Sequence, residues 1–143
     1  MKLSAFVAIA AVIGGSFLIP NPAQAWWGGG QEPTYEMLRG TTYKFPSKDQ
    51  KKTYDSPGWV LLSSSPGTDL MKKMKLVDCR QSHCIYFTKM VDRSNKLVNA
   101  HEIDCNSKKY RWRSVYSNKP EWERWFDVIP GGEEAVAFNK FCR

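Results

Sequence analysis

Lys109, Arg111 and Arg113 alternate with Tyr110, Trp112, Ser114 and Tyr116, and this is the clearest period of two in the chain. Such a period marks a strand whose two faces meet different surroundings. Shorter apolar runs of strand length precede it from Pro57 onward, each closed by turn residues. Trp59-Val60-Leu61-Leu62 stops at Ser63-Ser64-Ser65-Pro66-Gly67. Residues 70–78 place Leu70, Met74 and Leu76 on one side, with Lys72 interrupting them. Residues 84–91 are rich in β-formers (Ile85, Tyr86, Phe87, Thr88, Val91). After a turn at 92–96, residues 97–105 put His101, Ile103 and Cys105 on one face, and Asn106-Ser107-Lys108 turns into the alternating strand. Residues 121–129 read either as a strand or as an irregular return.

Pro130-Gly131-Gly132 then opens a short helix over 133–141. Glu133 and Glu134 in its first turn, with Lys140 and Arg143 at its end, suit the helix dipole. Ala135, Phe138 and Cys142 fall at i, i+3 and i+7 and share a face. The pattern predicts an α+β domain over 57–143, an antiparallel sheet with the C-terminal helix packed on one face.

The N-terminal region reads differently. Lys2, an apolar stretch over 5–19, Pro20-Asn21-Pro22 and the A-x-A site Ala23-Gln24-Ala25 predict a secretory signal over 1–25, removed on export. No cysteine follows the apolar stretch, so lipid anchoring is not expected, and the mature chain is expected to be soluble, with no membrane span, in the periplasm or outside the cell. Residues 26–56 begin Trp26-Trp27-Gly28-Gly29-Gly30 and are punctuated by Pro33, Gly40 and Pro46. They read as a flexible or extended arm, with 48–52 a solvated charged run.

Charge changes the picture less than the compartment does. The formal net charge is +7, and fifteen Lys/Arg against ten Asp/Glu fall from Pro57 on, so the excess belongs to the domain. A basic exported domain meets acidic proteins or anionic polymers, although a basic surface also simply aids solubility. Four cysteines in an exported chain imply two disulfides with three connectivities open. Cys79 with Cys84 would close a hairpin loop and leave Cys105 for Cys142. If Ser94-Asn95 centres a two-residue turn, Cys84 instead lies opposite Cys105, and the two alternatives stay open on spacing alone.

Catalytic chemistry finds little support. His83 sits in a predicted loop and His101 in a strand, with no nucleophile placed for either. His101, Glu102 and Asp104 lie too close together in a strand to converge, since side chains alternate faces, which argues against a metal site, and neither a metal nor a cofactor is expected. No C-x-x-C pair or G-x-S-x-G elbow is present. The residues that could form a binding surface are Lys109, Arg111 and Arg113, together with Trp122 and Trp125. An ordinary half-buried strand, with Tyr110, Trp112 and Tyr116 inside and the cations in water, gives the same pattern. Nucleic-acid binding is not expected, because the aromatics oppose the cations rather than joining them.

Trp59-Val60, Glu102-Ile103-Asp104-Cys105, Lys109-Tyr110-Arg111, and the ending Val128-Ile129-Pro130-Gly131…Phe141-Cys142 resemble the surface-adhesin protein E family of bacteria. The resemblance spans roughly 58–142. It implies about six antiparallel strands and a C-terminal helix tied to the sheet by Cys105–Cys142. It also implies binding rather than catalysis, with a host or envelope protein as partner. The chain departs from the family in lacking a lipidation cysteine, in Gly132, and in the added pair Cys79 and Cys84. The expectation is a non-catalytic exported binding domain for an as yet unknown protein or anionic polymer. A structural periplasmic protein or a small enzyme inhibitor is the alternative, and an uncovered sheet edge would invite a homodimer.

Overall fold

The computed structural model describes residues 33–40, 47–68, 70–91, 97–115 and 121–143. Its six strands lie side by side in chain order, each antiparallel to the next: β1 (Val60–Ser64), β2 (Met71–Arg80), β3 (His83–Val91), β4 (Val98–Asp104), β5 (Lys109–Ser114) and β6 (Phe126–Asp127). Helices α1 (Tyr35–Arg39), α2 (Ser47–Asp55) and α3 (Glu133–Phe141) complete an α+β architecture. The predicted signal over 1–25, Trp26 and Trp27, the turn at 92–96 and Tyr116 lie outside the described residues.

Local chemistry sets the hairpins. Arg80 pairs with His83, so β2 and β3 run on to the two-residue turn Gln81-Ser82, with Gln81 in the left-handed region at φ 54°. At the β4–β5 turn the Asp104 carboxylate accepts from the Asn106 amide at 3.0 Å and the Ser107 hydroxyl at 2.7 Å. The Ser107 bond is the main cause holding the Asp104 carboxyl below its ordinary value. β1 carries an irregularity between Leu61 and Ser63, and β6 is two residues long. Residues 121–125 form no strand of their own, but the Glu123 amide donates to Trp112 O at 2.9 Å and leads the chain into β6.

The register decides the cysteine question. Cys84 lies opposite Ile103, two positions short of Cys105, while Cys79 lies directly opposite Cys84. The bridges are Cys79–Cys84 and Cys105–Cys142. The second ties the end of α3 to the β4–β5 turn, and α3 packs its Ala137 into a core of Leu62, Met74, Tyr86 and Ile103. Phe138, Phe141 and Cys142 lie against that core, so the buried stripe centres on Ala137 rather than on Ala135.

The opposite sheet face is covered too, and here the reading of 26–56 as an arm is corrected for its described part. Tyr35 and Leu38 of α1 and Tyr54 of α2 are buried among Ile85, Phe87, Val98, Ala100 and Val115. Thr34 caps α1 by accepting from the Met37 amide, and Tyr54 donates its hydroxyl to Met90 O at 3.0 Å. α2 carries one large apolar side chain in a run of charged residues, so no hydrophobic period announces it. Docking on the sheet, not intrinsic periodicity, makes these short helices stable.

Candidate functional site

His101 and Glu102 are chain neighbours in β4, and strand geometry sends them to opposite faces. Each is the polar centre of its face.

Glu102 lies under α1. It is 0% exposed and takes a hydrogen bond from Arg111 Nε at 2.7 Å, its partner in register across β4 and β5. Arg39 Nε stands 3.8 Å from the other carboxylate oxygen, and His83 Nδ1 stands 3.0 Å from it without the alignment of a hydrogen bond. The Arg111 guanidinium lies 4.8 Å from the Trp122 ring and 4.6 Å from the Trp125 ring. Arg113 is 1% exposed, donates to Gly40 O at 2.8 Å, and lies 5.5 Å from Trp122. Burial lowers its pKa.

Four of the five residues singled out as a binding surface are thus brought together, but facing inward. Arg111, Arg113 and Trp122 are largely covered, and Trp125 closes the cluster from outside. Lys109 stays exposed near Asp127 at 3.7 Å. The period of two in β5 is correct and its polarity is inverted: the cation side is covered, and Trp112 on the other side is 37% exposed. The cause lies far away in sequence, because α1 folds over the cation side and supplies Gly40 O, while β4 supplies Glu102.

The face toward α3 is covered only in part. Beyond Ala137 the sheet and the first turn of α3 enclose a cleft of about 490 Å³. Tyr86, Thr88, His101, Tyr110 and Trp112 of the sheet line it, together with Lys72 of β2 and Glu133 and Glu134 of α3. Lys72, the residue that interrupts the apolar side of β2, donates to Glu133 Oε2 at 2.8 Å, and the Ser63 hydroxyl donates to Oε1 at 2.7 Å. Burial alone would raise the Glu133 carboxyl; the Lys72 and Ser63 hydrogen bonds outweigh it and hold the group below its ordinary value.

His101 stacks on Tyr86 with ring centroids 5.0 Å apart, and its Nε2 lies 2.9 Å from Thr88 Oγ1. Burial pushes its imidazole down to about 4, with Lys72 adding to the push and Glu133 opposing it, so the ring is neutral at physiological pH. Its Nδ1 is buried without a hydrogen-bond partner. Burial raises the Tyr86 phenol, and the charge of Glu134 raises it further; the same two causes act on Tyr110.

A hydroxyl beside an imidazole is the first half of a nucleophile–base pair, but the second half is lacking. Nδ1 has no acceptor to orient the ring, and an imidazole titrating near 4 is a weak base. Among the described residues, the group of potential metal ligands that converges is the sulfurs of Cys84, Cys105 and Cys142, within 4.8 Å of one another, and all three are disulfide-bonded.

Sequence reasoning considered His101 but missed the residues that make its cleft. Lys72 on an apolar side was a legible signal of a partner on α3. Thr88, Trp112 and Glu134 carried none, because only tertiary placement brings them together. Neither a family model, nor a curated protein, nor a solved structure matches this chain.

Proposed function

We propose that this chain is an exported, non-catalytic binding domain of the surface-adhesin protein E kind, and that its ligand seats in the cleft between α3 and the sheet. The observation that carries the reading is the cleft itself. About 490 Å³ lined by aromatic side chains, with a few convergent polar groups, is the usual make-up of a ligand site. Two disulfides suit an oxidising compartment, in keeping with the signal pattern of the first 25 residues. Among the described residues no helix is long and apolar enough to cross a membrane.

The partner class narrows with the geometry. An anionic polymer would need a row of exposed cations, and β5 turns Arg111 and Arg113 inward. The net +7 then contributes a diffuse attraction that salt screens, rather than a site. A protein or small molecule offering a group to the aromatic cleft fits better. A hydrolytic role is favoured only by the Thr88–His101 contact, and the depressed imidazole weakens it.

Chemical-shift mapping of the labelled protein against fractionated envelope extract tests the site. Ligand-induced shifts are expected at Trp112, His101 and Asn99. Shifts gathered instead at Lys109 and Trp125 would overturn the cleft and restore the outer edge of β5.

A further inference from the structure

Resting on the cleft as the binding site, we propose that it selects a small organic ammonium ion, held by the carboxylate of Glu134 and the rings of Tyr110 and Trp112. Charge is the first ground. Both oxygens of Glu133 are engaged, by Lys72 and by Ser63, so that ion pair is closed and neutral. Glu134 is the next residue, and among the described residues no ion pair takes it. It lines the cleft together with Tyr110 and Trp112, and its charge is felt at the phenols of Tyr86 and Tyr110.

The second ground is that, among the described residues, the cleft offers no available cation for an anion to use. Lys89 borders the cleft, but its ammonium sits on the other face, 2.5 Å from Tyr54 O and over the rings of Tyr54 and Trp59 at 4.2 and 4.5 Å. His101 is neutral. Among the described residues the cleft therefore carries one carboxylate in excess, inside a protein whose formal charge is +7. Local acidity against a basic whole favours a cationic guest over an anionic one.

The third ground is the chain's own usage. On the opposite face each aromatic cluster holds a cation: Lys89 on Tyr54 and Trp59, Arg111 on Trp122 and Trp125. The cleft has the rings and the counter-charge, and among the described residues its one ammonium, Lys72, is committed to Glu133. Aromatic faces with a nearby carboxylate are the recognised environment for quaternary and primary ammonium groups.

The test uses the full chain and three probes of one shape: choline, its uncharged carbon isostere 3,3-dimethylbutanol, and 3,3-dimethylbutyrate. Affinities are read by calorimetry and sites by chemical-shift mapping. Choline is expected to bind about tenfold tighter than the alcohol, the size of a partly desolvated cation–π and charge contact. Glu134→Gln should weaken choline about threefold, removing the charge part and leaving the ring part, and leave the alcohol unchanged, which also reports that the variant is folded. Trp112→Ala should weaken both. Equal binding of choline and the alcohol in the cleft, or tightest binding of the butyrate, overturns the ammonium assignment while the cleft stands. Shifts outside the cleft with all three probes, or no shifts at all, overturn both.

Discussion

Two adjacent residues of β4 lead to opposite outcomes. Under Glu102 the charges are consumed: one carboxylate faces Arg111 and Arg39, Arg111 lies on Trp122 and Trp125 and Arg39 over Tyr35, and α1 closes the top. Around His101 the covering by α3 is partial, and charge and aromatic surface are left in a cleft. The difference teaches that a charged row in a sequence is not yet a surface. What decides is whether another element folds over it. The side that looked like core on β5 became the accessible one.

The largest effect expected is on the wall of the cleft. Replacing Cys105 and Cys142 together by serine should cost about 4 kcal/mol, against about 2 kcal/mol for Cys79 with Cys84, since the first bridge closes the longer loop. Urea unfolding measures both, and equal losses would mean that α3 is held by packing alone. Next comes the closed face. Glu102→Ala should destabilise by about 3 kcal/mol by stranding Arg111, and the double change with Arg111→Leu should recover much of it. If the single change is harmless, the two faces do not differ as described.

His101 gives a smaller, pH-dependent effect. Its pKa is lower folded, about 4, than the ordinary 6.5, so between these values the unfolded chain binds more protons. Its contribution is complete above about pH 6.5 and lost as pH falls through about 4, at most about 3 kcal/mol. His101→Gln should flatten unfolding free energy across that window, leaving the Glu133 contribution below it. A slope that survives the substitution would assign the dependence elsewhere. The smallest effect is Trp112→Ala, expected below about 1 kcal/mol because the ring is part-exposed, whereas Trp122→Ala should cost more. The reverse order would place the packed face at Trp112.

The strands and α3 were legible because period, turn residues and helix-dipole charges agree over 57–143. The pattern put Cys142 on the Phe138 face of α3 but left its partner open between two pairings, and the resemblance implied Cys105, the pairing the register bears out. The inversion of β5 was not legible. Alternation is symmetric, and the element that breaks the symmetry is a five-residue helix with two buried side chains, Tyr35 and Leu38. The cleft escaped for a related reason. His101 was visible but judged alone, while Glu133 was read only for the helix dipole and Lys72 only as an interruption. Their ion pair, 61 positions apart in sequence, is what joins them.

The sheet's outer strands have a further consequence. A second copy seeking to extend the sheet would find on one side a five-residue strand broken between Leu61 and Ser63, and on the other a strand of two residues flanked by the Lys109–Asp127 pair. Among the described residues neither offers an uninterrupted ladder of free amides and carbonyls, an arrangement that disfavours edge-to-edge growth, the route by which exposed β-structure most readily polymerises.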